Sequence, residues 1–289
     1  MIEQFLNTLH QIIHSDSVGP IRGTYRHLQW QGRKLLGRFP CELPIGGSRL
    51  FVDHANSVAA LVNAMDLYDF NNMSLLRIVS RLGGVFVDVG ANVGSYTLIA
   101  SESALCKVVS IEPHPRAFAL LAENVKRNHR PNVTCLAVAI SDADGWCSLT
   151  DGAELCMNRI VSSDNPGRAI RVKVRTLRSV CEELGIVPDF IKIDVEGFEP
   201  HVLDGLGRMA AAAKIMWIEH GDDGSIRKKM QAAGYSGPYY VHYRTLRLDQ
   251  TRANRPEDPV FVRHDYIGSL EGAGFQVDHC GTEPGPPHA

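Results

Sequence analysis

The chain has 289 residues, of which 44% are hydrophobic and 21% charged, and its formal net charge is −2. This length and apolar content are sufficient for one large core, whereas the near-balanced charge and the lack of a long Lys/Arg run exclude a phosphate-tracking surface. We therefore expect no nucleic-acid partner and no membrane span. The seven cysteines form no C-x-x-C pair and no export signal is evident, which predicts a cytoplasmic protein.

The first predicted element is an amphipathic helix at the N-terminus. Its apolar face comprises Ile2, Phe5, Leu6, Leu9, Ile12 and Ile13. We expect this face to pack on the body of the protein or on a second subunit, because the polar face lacks the Lys and Arg typical of membrane-surface helices. A strand-and-turn region at 41–52 and a helical stretch at 57–82 follow. Residues 1–80 are thus predicted to be a helical and strand extension that serves as a cap or in homo-oligomer formation.

An apolar run ending in a glycine turn begins at residue 85, where the chain reads V-F-V-D-V-G-A-N-V-G. The run has the length and β-branched content of a strand buried on both faces. Gly90 ends this strand and Gly94 precedes a helix predicted from Ser95. Glycine at both positions predicts close approach of the main chain to a ligand.

A second apolar strand, predicted at 108–111, ends at Glu112. A carboxylate at this position can accept hydrogen bonds from both hydroxyls of a ribose. The first turn has the spacing D-x-G-x-x-x-G, rather than the G-x-G-x-x-G of a dinucleotide site. Because Asp88 would repel a pyrophosphate, the pattern favours the cationic S-adenosylmethionine over NAD.

A further strand end lies in the segment F-I-K-I-D-V-E-G-F-E from residue 190. Strand alternation predicts that Lys192, Asp194 and Glu196 share one side of the backbone, close to the reactive end of a cofactor. The alternative is that Lys192 and Asp194 form an ion pair that only fixes the loop. Between this segment and the earlier strands, the polar residues 150–168 predict a loop or hairpin at the mouth of the site.

The next predicted strand, at 214–218, ends at Glu219 and His220. In a parallel sheet these two residues would lie beside Asp194. Together with Asp194 and Glu196 they form the group from which a general base would come, although a lone His at a strand end is also a common structural group. The same four side chains offer hard ligands for a divalent ion, but no three of them have a diagnostic spacing, so we assign no metal site.

The C-terminal part, residues 239–265, has apolar residues at alternate positions, a pattern that predicts the last antiparallel strands. Its polar aromatic group suits stacking on a sugar ring, with ordinary packing of a half-buried strand as the alternative. This group comprises Tyr239, Tyr240, His242 and Tyr243. Residues 281–289 are rich in Pro and Gly and are predicted to be a flexible tail.

The motifs F-V-D-V-G-A-N-V-G-S-Y-T, I-E-P-H-P and F-I-K-I-D-V-E-G-F-E-P-H-V-L-D-G together resemble those of FkbM-type methyltransferases, over roughly residues 75–220. The resemblance implies a Rossmann-like class I methyltransferase fold at 81–270. This α/β fold has a mostly parallel seven-stranded sheet with an antiparallel C-terminal strand and helices on both faces.

The resemblance also implies roles for individual positions. The cofactor-binding set is Asp88, Gly90, Asn92, Gly94, Glu112, Ile140 and Asp142. Of these, Ile140 falls in the region that usually packs on adenine. Asp142 is a candidate partner for the adenine amino group, with a turn-forming role as its alternative. The resemblance also places Asp194 and Glu196 beside the transferred methyl. Together with the strand-end reasoning above, this gives a predicted catalytic set of Lys192, Asp194, Glu196, Glu219 and His220.

The expected function is S-adenosylmethionine-dependent O-methylation of a small-molecule hydroxyl, on a sugar or a secondary metabolite. Two other functions stay open at this point. One is N- or carboxyl-methylation of a peptide or amino compound. The other is nucleoside binding without methyl transfer, either in an NAD enzyme or in a regulatory sensor. Dependence on a divalent metal is likewise open.

Overall fold

A computed structural model describes residues 2–14, 17–53, 57–150, 152, 160–161, 169–250 and 258–278. The helices in this part of the chain are α1 (Ile2–His14), α2 (Pro20–Leu35), α3 (Ser57–Met65), α4 (Phe70–Arg81), α5 (Ser95–Ala100), α6 (Pro115–Arg127), α7 (Leu177–Leu184), α8 (Glu199–Leu206), α9 (Gly224–Ala232) and α10 (Ile267–Gly272).

The strands are β1 (Cys41–Ile45), β2 (Ser48–Val52), β3 (Gly84–Val89), β4 (Cys106–Ile111), β5 (Val133–Leu136), β6 (Ala139–Ser141), β7 (Gly145–Thr150), β8 (Ile160–Val161), β9 (Ala169–Thr176), β10 (Phe190–Ile193), β11 (Ile215–Ile218), β12 (Tyr235–His242), β13 (Arg247–Asp249), β14 (Val260–Arg263) and β15 (Gln276–Val277).

The central sheet has the order β15-β13-β12-β14-β11-β10-β3-β4-β5. Five neighbouring strands, β11, β10, β3, β4 and β5, run parallel. Strand β14 is antiparallel to both β11 and β12. The predicted mostly parallel sheet with an antiparallel C-terminal strand is therefore confirmed. The structure adds β13 and β15 at one edge, which widens the predicted seven strands to nine.

The two faces of this sheet are covered by different sets of helices. On one face, Phe86 and Trp217 belong to an apolar cluster that includes residues of α4, α5 and α6. On the other face, Val87 and Met216 pack with residues of α7, α8 and α9. Because successive strand residues point to opposite faces, a strand covered on both sides must be apolar throughout. This explains the continuous apolar runs of β3, β10 and β11.

The N-terminal region shares the core of the sheet. Leu43 and Leu50 of the β1–β2 hairpin are buried in the same apolar cluster as Phe86. The helical stretch predicted at 57–82 is interrupted between α3 and α4. There Asp66 adopts a left-handed backbone conformation with φ of 65° and accepts a hydrogen bond from Gly46 N–H at 2.9 Å. This side chain links the break between the helices to the hairpin turn.

The predicted N-terminal helix is present as α1, but its apolar face is only partly covered. Ile12 is fully buried, whereas Leu6 and Ile13 are 55% and 54% exposed. The side chains of Ile2 and Phe5 lie outside the described part of the structure. A role of this region in oligomer formation stays a prediction.

A second, four-stranded sheet has the order β6-β9-β7-β8. The apolar run at 133–138 is divided between the sheets, because β5 ends at Leu136 in the central sheet and the chain then enters this second sheet through β6. Most of the polar segment 150–168 and the whole predicted tail 281–289 lie outside the described residues. Among the described residues, no helix combines the length and apolarity that crossing a bilayer requires.

Candidate active site

A cavity of about 220 Å³ lies at the carboxyl ends of β3, β4, β10 and β11. Parallel strands bring these ends to one edge of the sheet, where ligands of α/β proteins bind. Nine residues predicted from the sequence line this cavity: Asp88, Gly90, Asn92, Glu112, Ile140, Lys192, Asp194, Glu196 and Glu219. Three predicted residues, Gly94, Asp142 and His220, are not part of the wall.

The turn after β3 is built on residues with a left-handed backbone. The φ angles of Gly90 and Asn92 are 82° and 51°. A Cβ atom at Gly90 would lie only 1.8 Å from the carbonyl oxygen of Asp194. Glycine is thus required here by the main chain that follows β10, and not only by a ligand as the sequence suggested. Gly94 directly precedes α5, where an added Cβ would meet Leu121 at 2.8 Å.

Asp88 is buried near the end of β3 and is fixed by neighbouring hydroxyls. Thr97 donates a hydrogen bond to Asp88 Oδ2 at 2.7 Å, and the Thr97 hydroxyl is itself 2.7 Å from Ser110 Oγ. Burial raises the pKa of Asp88, although Lys192 and Thr97 act in the opposite direction. Lys192 is the register partner of Asp88 on the adjacent strand, so the two side chains belong to one electrostatic unit.

Glu112 lies at one end of the cavity and is held by two backbone groups. Its Oε2 accepts a hydrogen bond from Asn92 N–H, and its Oε1 accepts one from His114 N–H, both at 2.8 Å. Burial raises the pKa of this carboxyl to about 7. Each oxygen retains a further lone pair, so the carboxylate can still accept the two hydroxyls of a diol. Next to it, Ile140 and Ile111 provide apolar wall.

Lys192 is 4% exposed and contacts the carboxylate of Asp194. Its Nζ also lies 4.7 Å from the centroid of the Tyr96 ring. Burial lowers the pKa of Lys192, but the charges of Asp194, Asp258 and Asp88 outweigh this and raise it, so the amine stays protonated. The ion pair considered as the alternative is therefore present, and both of its members line the cavity.

Three carboxyl groups follow β10 and β11, which lie on the other side of β3 from the strand that precedes Glu112, and so mark the opposite end of the cavity. One oxygen each of Asp194, Glu196 and Glu219 lie within 4.8 Å of one another. Burial and the charges of Asp194 and Glu196 raise the pKa of Glu219 to about 9. Burial would raise the pKa of Asp194 as well, but Lys192 and a hydrogen bond with Glu219 lower it. At neutral pH the proton between these two acids therefore stays on Glu219, while Asp194 is ionised.

Glu196 and His220 share an uncommon backbone conformation. Their φ angles are 54° and 53°, in the left-handed region that favours glycine. Such backbone strain is concentrated at functional sites. Burial and the charge of Asp194 raise the pKa of Glu196. The His220 side chain is 66% exposed and lies along a neighbouring cleft, with its Nδ1 3.9 Å from Glu219 Oε2.

Two groups of side chains have the donor types and spacing of a metal site. They are Asp194, Glu196 and Glu219, and Glu199, Glu219 and His220. In the first group the acids are already balanced by a shared proton and by Lys192. In the second, Glu199 accepts hydrogen bonds from Val195 N–H and Gly197 N–H at 3.2 and 3.1 Å. These contacts account for the clustering without an ion, and we assign no metal site.

Several residues proposed from the sequence lie elsewhere. Asp142 is exposed, and its carboxylate accepts a hydrogen bond from Ser141 Oγ at 3.0 Å and lies 3.5 Å from His201 Nδ1. Tyr239 is fully buried in the sheet, and the Tyr243 ring packs edge-on against Phe70. None of the four residues of the Tyr239–Tyr243 group predicted to bind an acceptor is part of the cavity wall.

Sequence reasoning missed the aromatic side of the cavity. Tyr68 and Tyr96 both line it, and the Tyr96 hydroxyl donates a hydrogen bond to Asp69. Asp258, whose pKa burial raises to about 7, adds a further carboxyl group near Lys192. Tyr96 had a usable signal, since it follows the glycine turn by two residues. Tyr68 and Asp258 had none, because they reach the site from distant parts of the chain.

The sheet order, with an antiparallel strand beside β11 and a carboxylate-rich cavity at the strand ends, defines a Rossmann-like class I methyltransferase fold. Residues 88–236, slightly more than half of the chain, match the family described as the methyltransferase FkbM domain. The chain belongs to this family and is a methyltransferase.

The individual proteins that the chain resembles have low sequence identity to it. The chain is 27% identical to the hexuronic acid methyltransferase AglP of Haloferax volcanii over 183 residues, which cover 62% of this chain and 70% of the relative. Similar solved structures include M. jannaschii TYW2 in complex with AdoMet, with a TM-score of 0.41, 16% identity and coverage of 78% of this chain and 86% of that one. Another is the precorrin-6y C5,15-methyltransferase of Geobacter metallireducens, with a TM-score of 0.37, 15% identity and coverage of 58% and 72%. At these identities and TM-scores, neither structure bears on the substrate.

Proposed function

We propose that the protein uses S-adenosylmethionine as methyl donor and methylates a hydroxyl group of a sugar or a related small molecule. The observation that carries this proposal is the division of one cavity into two ends. Glu112, held by backbone N–H groups, lies at one end, and the acids Asp194, Glu196 and Glu219 lie at the other. The first end suits a ribose, and the second suits a cation and a hydroxyl that must lose its proton.

The cavity wall supports this choice of donor by its chemistry. It contains five carboxyl groups and one lysine among its described residues: Asp88, Glu112, Asp194, Glu196, Glu219 and Lys192. An ammonium and a sulfonium group are favoured in such surroundings, whereas the pyrophosphate of NAD would be repelled. We assign the ribose hydroxyls to Glu112, the adenine to the apolar wall at Ile140, and the cationic end to Asp88 and Asp194. When bound, this donor supplies an electrophilic methyl group.

Glu196 is the group that we assign as proton acceptor for the attacking hydroxyl. A sugar hydroxyl is a weak acid, so a base within reach accelerates its attack. Glu219 is unsuitable at neutral pH because its pKa of about 9 keeps it protonated. Asp194 is a weak base because Lys192 lowers its pKa. Glu196 lines the cavity and has a raised pKa, which makes it a stronger base than an ordinary glutamate. We assign Lys192 as the positioning residue that keeps Asp194 ionised and in place.

The charge of the wall also bears on the acceptor. The name of AglP points to a hexuronic acid, a sugar that offers both hydroxyls and a carboxylate. Placing a free carboxylate next to Asp194 and Glu196 would bring like charges together, and the one lysine of the described wall is already paired with Asp194. We therefore propose that the methylated group is a hydroxyl on an uncharged part of a sugar, and not a carboxylate.

The donor assignment is tested by calorimetric titration with S-adenosylhomocysteine, with NAD as a control ligand. We expect micromolar binding of S-adenosylhomocysteine, no binding of NAD, and loss of binding in Glu112→Ala. The variant removes the two acceptors of the diol, which also accept the backbone N–H groups of Asn92 and His114. Preference for NAD, or equal binding by the variant, would contradict the proposed donor.

The acceptor assignment is tested with donor labelled in its methyl group and three matched acceptors. These are methyl glucoside, methyl glucuronoside and the methyl ester of that glucuronoside. We expect label in the glucoside and in the ester, in a form that survives mild alkali, because an ether survives and an ester does not. Alkali-labile label in the free glucuronoside would instead establish carboxyl methylation. Label found only in an added amino sugar would establish N-methylation.

A further inference from the structure

The outer face of α2 is apolar and exposed. Ile21, Tyr25, Leu28 and Leu35 are 88%, 61%, 55% and 88% exposed. Their spacing of four, three and seven residues places them on one side of the helix, and we call them the α2 stripe. Isolated exposed apolar residues are normal, but a contiguous stripe on a soluble protein marks an interaction surface.

The other side of α2 is already packed against the protein. Gly23, His27 and Trp30 are buried there, and a Cβ atom at Gly23 would lie 2.4 Å from Ile12 of α1. On a helix of 3.6 residues per turn, these positions lie opposite the α2 stripe. The stripe is therefore not the face that attaches α2 to the body, and the helix can use it for a partner while staying folded in place.

The charge of this part of the chain identifies the kind of partner. Residues 17–40 contain no Asp or Glu, although the whole chain has more acidic than basic residues and a net charge of −2. Their basic residues are Arg22, Arg26, Arg33, Lys34 and Arg38. The protein thus presents a basic, apolar helix on an otherwise acidic molecule. Its electric field would turn this helix toward a negatively charged surface.

We propose that the α2 stripe binds the surface of an anionic lipid bilayer. A helix that lies in the interface inserts its apolar side chains at the boundary between headgroups and acyl chains, while flanking Arg and Lys side chains reach the phosphates. Each such basic residue contributes attraction to an anionic leaflet. Arg22 and Arg33 flank the stripe on one side, about a quarter to a third of a turn from its centre.

A second copy of the chain fits this face less well. Pairing two α2 stripes would bring two segments of five positive charges together with no acid on either. The stripe also comprises only four large side chains, whereas stable interfaces involve about 20–30 residues on each side. The bilayer is thus the occupant that both the charge and the size of the patch favour. This inference does not depend on the proposed acceptor.

The test is flotation of the full chain with vesicles of phosphatidylcholine containing 30% phosphatidylglycerol, and with vesicles of phosphatidylcholine alone. We expect binding to the anionic vesicles at least tenfold tighter than to the neutral ones, and weakened by 0.5 M NaCl. Leu28→Gln/Leu35→Gln should reduce binding at least tenfold through loss of apolar insertion. Arg22→Gln/Arg33→Gln should reduce it roughly 30-fold, from two lost charge contacts.

The matched control is Leu105→Gln/Val187→Gln. These side chains are as exposed as those of the stripe, at 69% and 61%, but lie outside α2, and we expect the variant to bind vesicles like the wild type. Unchanged thermal midpoints would show that all the variants are folded. Equal loss in the control, or no vesicle binding by a monomeric protein, would overturn the proposal and leave an acidic protein as the partner. So would a dimer, measured by light scattering, that Leu28→Gln/Leu35→Gln dissociates.

Discussion

At the Glu112 end of the cavity a single carboxylate is fixed by two backbone N–H groups. At the Asp194 end three carboxyl groups have oxygens within 4.8 Å of one another, and one of them, Asp194, contacts Lys192. At the first end the main chain sets the position of Glu112, which is the single titrating group there. The second depends on how protons and charges are shared among side chains. We infer that the first end is built to bind and the second to react, and substitutions at the two ends should have different kinds of effect.

The largest effect is expected from Asp194→Asn. The substitution leaves the buried Lys192 without its nearest counter-charge, so we expect activity to fall at least 10³-fold. The unfolding free energy should fall by about 2 kcal/mol. This is less than the 3–5 kcal/mol of a fully buried pair, because the Asp194 side chain is 34% exposed. Methyl-transfer rates and thermal unfolding measure the two effects, and an unaltered rate would contradict the role of Lys192 and Asp194 in the reaction.

Glu196→Gln should separate reaction from binding. The variant keeps the size of the side chain but cannot accept a proton, so we expect kcat to fall roughly 10²–10³-fold. Binding of S-adenosylhomocysteine should stay within about twofold of the wild type, because the ribose end is unaltered. If His220 is instead the base, His220→Gln will show this loss and Glu196→Gln will not.

Glu112→Gln should have the converse effect. The amide retains one acceptor oxygen but loses the charge that strengthens hydrogen bonds to a diol, so we expect affinity for S-adenosylhomocysteine to fall about 10–50-fold. At a saturating donor concentration kcat should change by less than about threefold. A large loss of kcat at saturation would remove the distinction between the two ends.

The smallest effect at neutral pH is expected from Glu219→Gln. Because the pKa of Glu219 is about 9, the wild-type side chain is already neutral at pH 7, and the amide should change the rate by no more than about threefold. The two proteins should differ more in their stability as pH rises. Between its usual pKa and about 9 the folded state keeps a proton that the unfolded state has lost, so rising pH destabilises the wild type at this site. The thermal midpoint of the variant should therefore fall less between pH 6 and pH 9 than that of the wild type.

The sequence was sufficient for those parts of the cavity wall that lie at strand ends. Glu112 and Asp194 directly follow an apolar strand and Asp88 lies one residue before the end of β3, and parallel pairing brings such positions to one edge. Asp142 is not part of the cavity wall, because the apolar run before it divides between two sheets. Its contact with adenine stays a prediction. A strand that changes sheets has the same hydrophobic pattern as one that continues.

The contacts from outside the motif region could not be predicted. Tyr68 reaches the cavity because the chain breaks between α3 and α4 where Asp66 adopts a left-handed conformation. Asp258 approaches Lys192 from just before β14, almost 70 residues further along the chain. Such contacts depend on the tertiary packing of distant segments, which neither periodicity nor local spacing encodes.

The register between β3 and β10 has a consequence for engineering this enzyme. Lys192 and Asp88 are paired within the strands, whereas Glu196 and Glu219 follow the ends of β10 and β11. The connections that carry these two acids can therefore be exchanged for those of other family members from residues 195 and 219 onward, without cutting into the sheet or removing Lys192 and Asp194. A chimaera built at these two junctions should keep its methyl donor and acquire a new choice of acceptor.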